Sequence, residues 1–183
     1  MPPSPYNQLS NFNTIIMASV TLGGTPASIK GDIPTSGSAP DFTFVKDDMN
    51  EEKLSNITGV KVLIGVPSLD TSVCATETRK FNQQLSDKAG VTGLVISKDL
   101  PFAMKLFCET SDINYVVNAS DYRYGEFTTK YNTEITEGAF KGLSARAVFV
   151  VDQNNEITYA ELVPEVGQEP DYQKAMSAVD KLL

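Results

Sequence analysis

The chain has 183 residues, with 15 Lys and Arg against 23 Asp and Glu, no histidine, and a net charge of −8. That balance argues against nucleic acid as a partner, because neutralising phosphates takes clustered Lys and Arg. The missing imidazole removes Ser-His-Asp and Cys-His catalysis together with zinc sites built on histidine, and two cysteines alone make a poor metal site.

No apolar run approaches the roughly 20 residues of a membrane span. Met1-Pro2-Pro3-Ser4-Pro5-Tyr6 carries no basic residue ahead of its short apolar patch, unlike a secretory leader. Residues 1–16 are therefore read as a poorly ordered extension, Met17 as an alternative start, residues 17–183 as one domain, and the cytoplasm as the location. Ala18–Leu22 and Ala27–Lys30, split by Gly23-Gly24-Thr25-Pro26, predict an N-terminal β-hairpin. Gly31–Pro40 reads as a connection rich in Gly, Pro and Ser, Asp41–Val45 as a strand, and Glu51–Ile57 as a short turn of helix. The apolar run Val60–Val66 predicts a buried strand ending at Pro67, and Ala75–Leu85 predicts a helix. Gly90–Ser97 reads as another strand, and Asp99-Leu100-Pro101 opens a helix running to Cys108, proline being favoured in a first turn. Tyr115–Val117 suggests a short strand and Gly125–Tyr131 a helix. Ala145–Val151 and Glu156–Val163, joined by Asp152-Gln153-Asn154-Asn155, predict a hairpin, and Gln173–Leu183 a final helix. Strand, helix, strand, helix, then hairpin and helix predicts an α/β fold in which helices flank a central mixed sheet. A cysteine directly after the first central strand makes the thioredoxin-like fold the expected architecture, although there is no Cys-x-x-Cys.

The chemistry centres on Pro67-Ser68-Leu69-Asp70-Thr71-Ser72-Val73-Cys74, a loop that delivers a thiol into the first turn of a helix. Thr71 or Ser72 can cap that helix, and unpaired N–H groups at the positive end of the helix dipole then lie beside the sulfur and favour a thiolate. The plainer alternative is a buried cysteine acting as a small hydrophobe. Favouring a thiolate by two pKa units takes about 2.7 kcal/mol, whereas a helix end supplies about 0.3–1 kcal/mol, up to about 2 when partly buried. A cation and a hydroxyl donor are needed as well. Thr71 is placed to supply the hydroxyl. Arg146, alone among apolar neighbours in Leu143-Ser144-Ala145-Arg146-Ala147-Val148-Phe149, is a candidate cation, unless it simply reaches solvent from an edge. Arg79 is a second candidate. Pro67, with no N–H, can shield the sulfur or merely end the strand. Cys108 is either core filler or a resolving thiol for oxidised Cys74, since a sulfenic acid condenses with a nearby thiol. A bridge between them needs Cα atoms within about 7 Å, so one or both cysteine segments are expected to unwind during turnover. No cofactor or metal is called for.

Several segments together resemble thiol peroxidases, the Tpx group of atypical two-cysteine peroxiredoxins. They are Pro67–Cys74, Arg79-Lys80-Phe81-Asn82, Asp99-Leu100-Pro101-Phe102-Ala103 with Phe107-Cys108, Lys141–Val148, Glu161–Glu165 and Glu169-Pro170-Asp171-Tyr172. The resemblance runs from about Met17 to the C-terminus. It implies a thioredoxin fold with an added N-terminal hairpin and assembly as a homodimer. It also implies Cys74 as peroxidatic nucleophile, Cys108 as resolving cysteine, and Pro67, Thr71 and Arg146 as the rest of the peroxide site. Thioredoxin would reduce the disulfide, and organic hydroperoxides would be favoured over hydrogen peroxide. Tyr131-Asn132-Thr133-Glu134-Ile135 departs from the pattern, being more polar than the expected Tyr-Gly-Val-Leu-Ile. Two other readings compete: a thiol–disulfide oxidoreductase acting on proteins, and a non-catalytic binding module with a structural disulfide.

Overall fold

The computed structural model describes residues 19–183. The extension read at 1–16 and the start at Met17 lie outside the described residues. The chain opens with a hairpin of β1 (Ser19–Leu22) and β2 (Thr25–Ser28), turning through Gly23 and Gly24 at φ 58° and 79°. Both are left-handed values that glycine adopts without a Cβ penalty.

The other strands are β3 (Gly37–Ser38), β4 (Thr43–Val45), β5 (Glu51–Lys53), β6 (Val60–Gly65), β7 (Val91–Ser97), β8 (Val116–Ser120), β9 (Ala147–Val151) and β10 (Glu156–Leu162). They form one sheet in the order β3-β10-β9-β6-β7-β8-β4-β5. The helices are α1 (Ser72–Leu85), α2 (Pro101–Ser111), α3 (Glu126–Lys130) and α4 (Tyr172–Asp180). β6, β7 and β8 run parallel, while β9 lies antiparallel to β6 on its other side. Every residue of β6 is buried, and apart from Lys61, whose ammonium donates to Asn155 Oδ1 at 2.7 Å, they are apolar at both parities, as a central strand covered on both faces requires. Val62 and Ile64 join Val95, Val148 and Val150 against Phe81, Leu85, Met104, Ala175 and Val179 of α1, α2 and α4. Leu63, Leu94, Ile96 and Phe149 face the opposite way, onto Phe42, Phe44, Phe127 and Tyr131. The sheet is thus mixed and flanked by helices on both faces, the thioredoxin-like arrangement expected.

Three local expectations are corrected. Glu51–Ile57 is not a helical turn throughout. Glu51–Lys53 pairs antiparallel with β4 as the charged edge strand, and only Leu54–Asn56 forms a 3-10 turn. Charges suit an edge, where they discourage further pairing. Gly31–Pro40 is not wholly connection, since Gly37 and Ser38 pair with Ile157 and Glu156. The strand read at Tyr115–Val117 occupies Val116–Ser120, and its polar end is buried because β7 and β4 pair on either side. The polar departure at 131–135 has a backbone cause at one position. Asn132, where the resemblance leads one to expect glycine, sits at φ 56°, and Asn is among the side chains that tolerate the left-handed region best. Thr133 is buried and accepts a hydrogen bond from Ser144 Oγ at 3.0 Å. Among the described residues no helix is long and apolar enough to cross a membrane.

Candidate active site

The site begins where β6 ends. Val66 N–H donates to Ile96 O at 2.9 Å, so the chain stays on the sheet one residue further. Pro67, buried, then releases it into the loop. Asp99, just past β7, clamps that loop. Its Oδ1 accepts from Ser68 Oγ at 2.7 Å, and its Oδ2 accepts from Leu69 N and Ser97 Oγ, both at 2.8 Å. Thr71 occupies the N-cap of α1 in extended conformation, but its hydroxyl makes no cap bond. It donates instead to Ser68 O at 2.8 Å. Ala75 N–H to Thr71 O is the first intrahelical bond, so the amides of Ser72, Val73 and Cys74 form the unpaired donor end of the helix.

Cys74 is completely buried. Arg146, just before β9, is 1% exposed and reaches it: Nη2 donates to Cys74 Sγ at 3.3 Å. The same guanidinium donates through Nε and Nη2 to Val166 O at 3.0 and 2.9 Å, and through Nη1 to Glu77 Oε2 in a close ion pair. Of the five guanidinium hydrogens these contacts use four, leaving one on Nη1 for a further acceptor. Burial works against the charge of Arg146, but Glu77 and Cys74 outweigh it and hold the group firmly protonated. For Glu77, fully buried, the balance tips the other way. Loss of solvation pushes its carboxyl up to about 7 against the pull of Arg146. Its Oε1 is buried with no hydrogen-bond partner among the described residues.

The structure brings Cys74 and Arg146 into contact, with Thr71 and Pro67 on the loop that leads to the sulfur. It does not place Arg79 there. Arg79 is exposed, lies 5.5 Å from the Phe107 ring centroid and donates to Ser111 Oγ at 3.1 Å, tying α1 to α2. Cys108 stands apart, half-buried on α2, and its thiol donates to Asn118 Oδ1 of β8 at 3.3 Å. Burial pushes that thiol above its ordinary range, and both cysteines are free. α2 is thinly anchored: only Pro101 and Met104 are buried in it, and Phe102 and Leu106 are more than 60% exposed. Glu77 was not anticipated from sequence. The available signal was its place three residues after Cys74, which puts both on one helix face.

A family model described as Redoxin matches residues 34–176 of this chain. The chain belongs to the Redoxin family. A thiol peroxidase of Leptospira interrogans is 50% identical over 171 residues, which is 91% of this chain and 100% of that protein. A thiol peroxidase of Aquifex aeolicus is 43% identical over 166 residues, covering 90% and 98% of the two chains. The crystal structure of a peroxiredoxin-like protein from Aquifex aeolicus superposes with a TM-score of 0.85 at 42% identity, over 91% of this chain and 99% of that one. Within the Redoxin family the chain is therefore a peroxiredoxin of the thiol peroxidase group, and the thioredoxin-like fold is that of its relatives.

Proposed function

We propose that this thiol-dependent peroxidase uses Cys74 as its peroxidatic nucleophile, with Arg146, Thr71 and Pro67 completing the peroxide site and Cys108 resolving the oxidised sulfur. The observation that carries the assignment is the buried guanidinium donating to Cys74 Sγ at 3.3 Å. The guanidinium and the first-turn amides of α1 both set positive charge beside the sulfur. The Arg146 Nη1 hydrogen left free is a donor for a peroxide oxygen. The Thr71 hydroxyl, its proton spent on Ser68 O, presents lone pairs that can accept from the peroxide O–H.

The thiolate attacks the distal peroxide oxygen. An S–O bond forms, the O–O bond breaks, and the departing oxygen leaves as water or alcohol after taking a proton. The same donors stabilise charge as it develops on that oxygen. Cys74 sulfenic acid then condenses with the Cys108 thiol, forming the disulfide and releasing water. An external dithiol, thioredoxin by family resemblance, returns both thiols. The substrates are hydrogen peroxide and organic hydroperoxides. We place the working protein in the cytoplasm, which keeps thiols reduced, as a homodimer in which residues 17–183 act as one domain.

Stopped-flow oxidation of the reduced protein by hydrogen peroxide and by an alkyl hydroperoxide, with mass spectrometry of the product, tests this. Cys74→Ser abolishes turnover, whereas Cys108→Ser allows one round of oxidation and no thioredoxin-linked recycling. Full activity in Cys74→Ser would overturn the assignment. Insulin reduction at a rate matching peroxide consumption would favour a protein disulfide oxidoreductase instead.

A further inference from the structure

Arg146 does not find its orientation by itself. Two of its four contacts end on one carbonyl, Val166 O, so that carbonyl shares with the Glu77 ion pair the work of facing the fork toward Cys74. Val166 sits in an irregular connection between β10 and α4, with no ladder of its own. What fixes it is the N-terminal hairpin. Val166 N–H donates to Thr21 O at 2.8 Å, and Thr21 N–H donates to Pro164 O at 2.7 Å. The neighbouring Glu165 carboxylate gathers four donors. Its Oε2 accepts from Thr21 Oγ1 at 2.6 Å and Gly24 N at 3.1 Å, and its Oε1 accepts from Gly23 N at 2.9 Å and Gly167 N at 3.1 Å. Beneath these bonds Val20 and Ala27 of the hairpin pack with Val166, Ala145, Ile29 and Ile135 in a small core of their own. The hairpin therefore grips both the residue before Arg146 and the carbonyl that aims it.

We propose that the hairpin is part of the peroxide site, with Glu165 as the positioning residue through which it sets the aim of Arg146. Glu165 touches neither sulfur nor peroxide, and acts only through Val166 and the guanidinium. The inference rests on the peroxidase reading. It adds that the rate of the first chemical step depends on a two-stranded element far from the cysteine in sequence. A misplacement of about 1 Å at a catalytic group can cost as much as about a hundredfold in rate.

The test compares the full chain with Glu165→Gln, which keeps the shape but turns one acceptor into a donor facing two other donors. Stopped-flow gives the rate of Cys74 oxidation by hydrogen peroxide and, separately, the rate of Cys74–Cys108 bridge formation. Expected is a loss of about tenfold in the first, with the second within about twofold of the unmodified protein. In an Arg146→Lys background, where no fork remains to be aimed, Glu165→Gln is expected to add nothing. Equal slowing of both steps, or an undiminished penalty on top of Arg146→Lys, would assign Glu165 a merely structural role and overturn the proposal. So would an unchanged first step in Glu165→Gln. Should that variant not fold, Thr21→Val removes only the hydroxyl's bonds to Glu165 Oε2 and Pro164 O and carries the same comparison, with a loss of about threefold expected and no loss counting against it. The unmodified protein separates the two readings. If it reacts no faster than free cysteine, the peroxidase assignment fails and this inference with it. If it reacts quickly and the variants match it, only the inference falls.

Discussion

Arg146 carries a charge into a place with almost no water, and its neighbours are chosen to make that tolerable: a carboxylate, a carbonyl and a sulfur. Replacing it with lysine keeps the charge but loses the planar fork. Arg146→Lys is expected to slow oxidation by hydrogen peroxide by about 10²–10³, the usual penalty for removing one well-placed donor from a transition state, measured by stopped-flow at saturating reductant. Removing the counter-charge acts on stability first. Glu77→Ala leaves the guanidinium buried without its ion pair, and such a break typically costs about 3–5 kcal/mol, to be read as a lower urea midpoint with an unchanged slope. Sequence made Arg146 visible because a lone cation in an apolar strand must find a partner. Glu77 stayed hidden, since a glutamate in a polar helix reads as solvated and nothing in the sequence says which helix face meets the arginine. The Thr71 hydroxyl was expected to serve the helix or the sulfur. A nearer acceptor, the carbonyl of Ser68, takes its proton instead.

Among the elements, the strands with strong apolar runs were legible to within a residue or two, because burial on both faces leaves little choice of side chain. The charged segment Glu51–Lys53 was not, since it becomes a strand only by pairing with β4, a partner that local composition cannot supply. The hairpin was legible from its glycines, but its purpose was not, because that depends on a loop more than 140 residues later. Its clamp has a pH signature. Four hydrogen bonds, led by those from Thr21 and the Gly23 amide, hold the Glu165 carboxyl down to about 2 from 4.5. The stabilisation is complete above pH 4.5 and is lost as pH falls through about 2, where the folded carboxylate finally takes a proton. The amide NMR shifts of Gly23, Gly24 and Gly167 are expected to move together near pH 2. Movement centred near 4.5 would show that the clamp is not formed in solution.

At the scale of the whole molecule, the fold class followed from the order of elements, and the cysteine in the first turn after β6 marked the end of the sheet where Arg146 meets a sulfur. The strand order did not follow, because the neighbours of β6 come from both halves of the chain. The resting structure keeps its two thiols in separate surroundings, Cys74 in the main core and Cys108 against Asn118 of β8. The lightly held α2, which carries Cys108, is the part most easily given up. Lys105 sits on the exposed side of that helix, beside Glu109. While α2 is wound, the peptide bond after Lys105 is a poor fit for the extended cleft of a protease. Once the bridge forms, it becomes a good one. Brief digestion with trypsin should therefore cut at Lys105 faster in the peroxide-treated protein than in the dithiothreitol-treated one, turning the oxidation state into a fragment pattern on a gel.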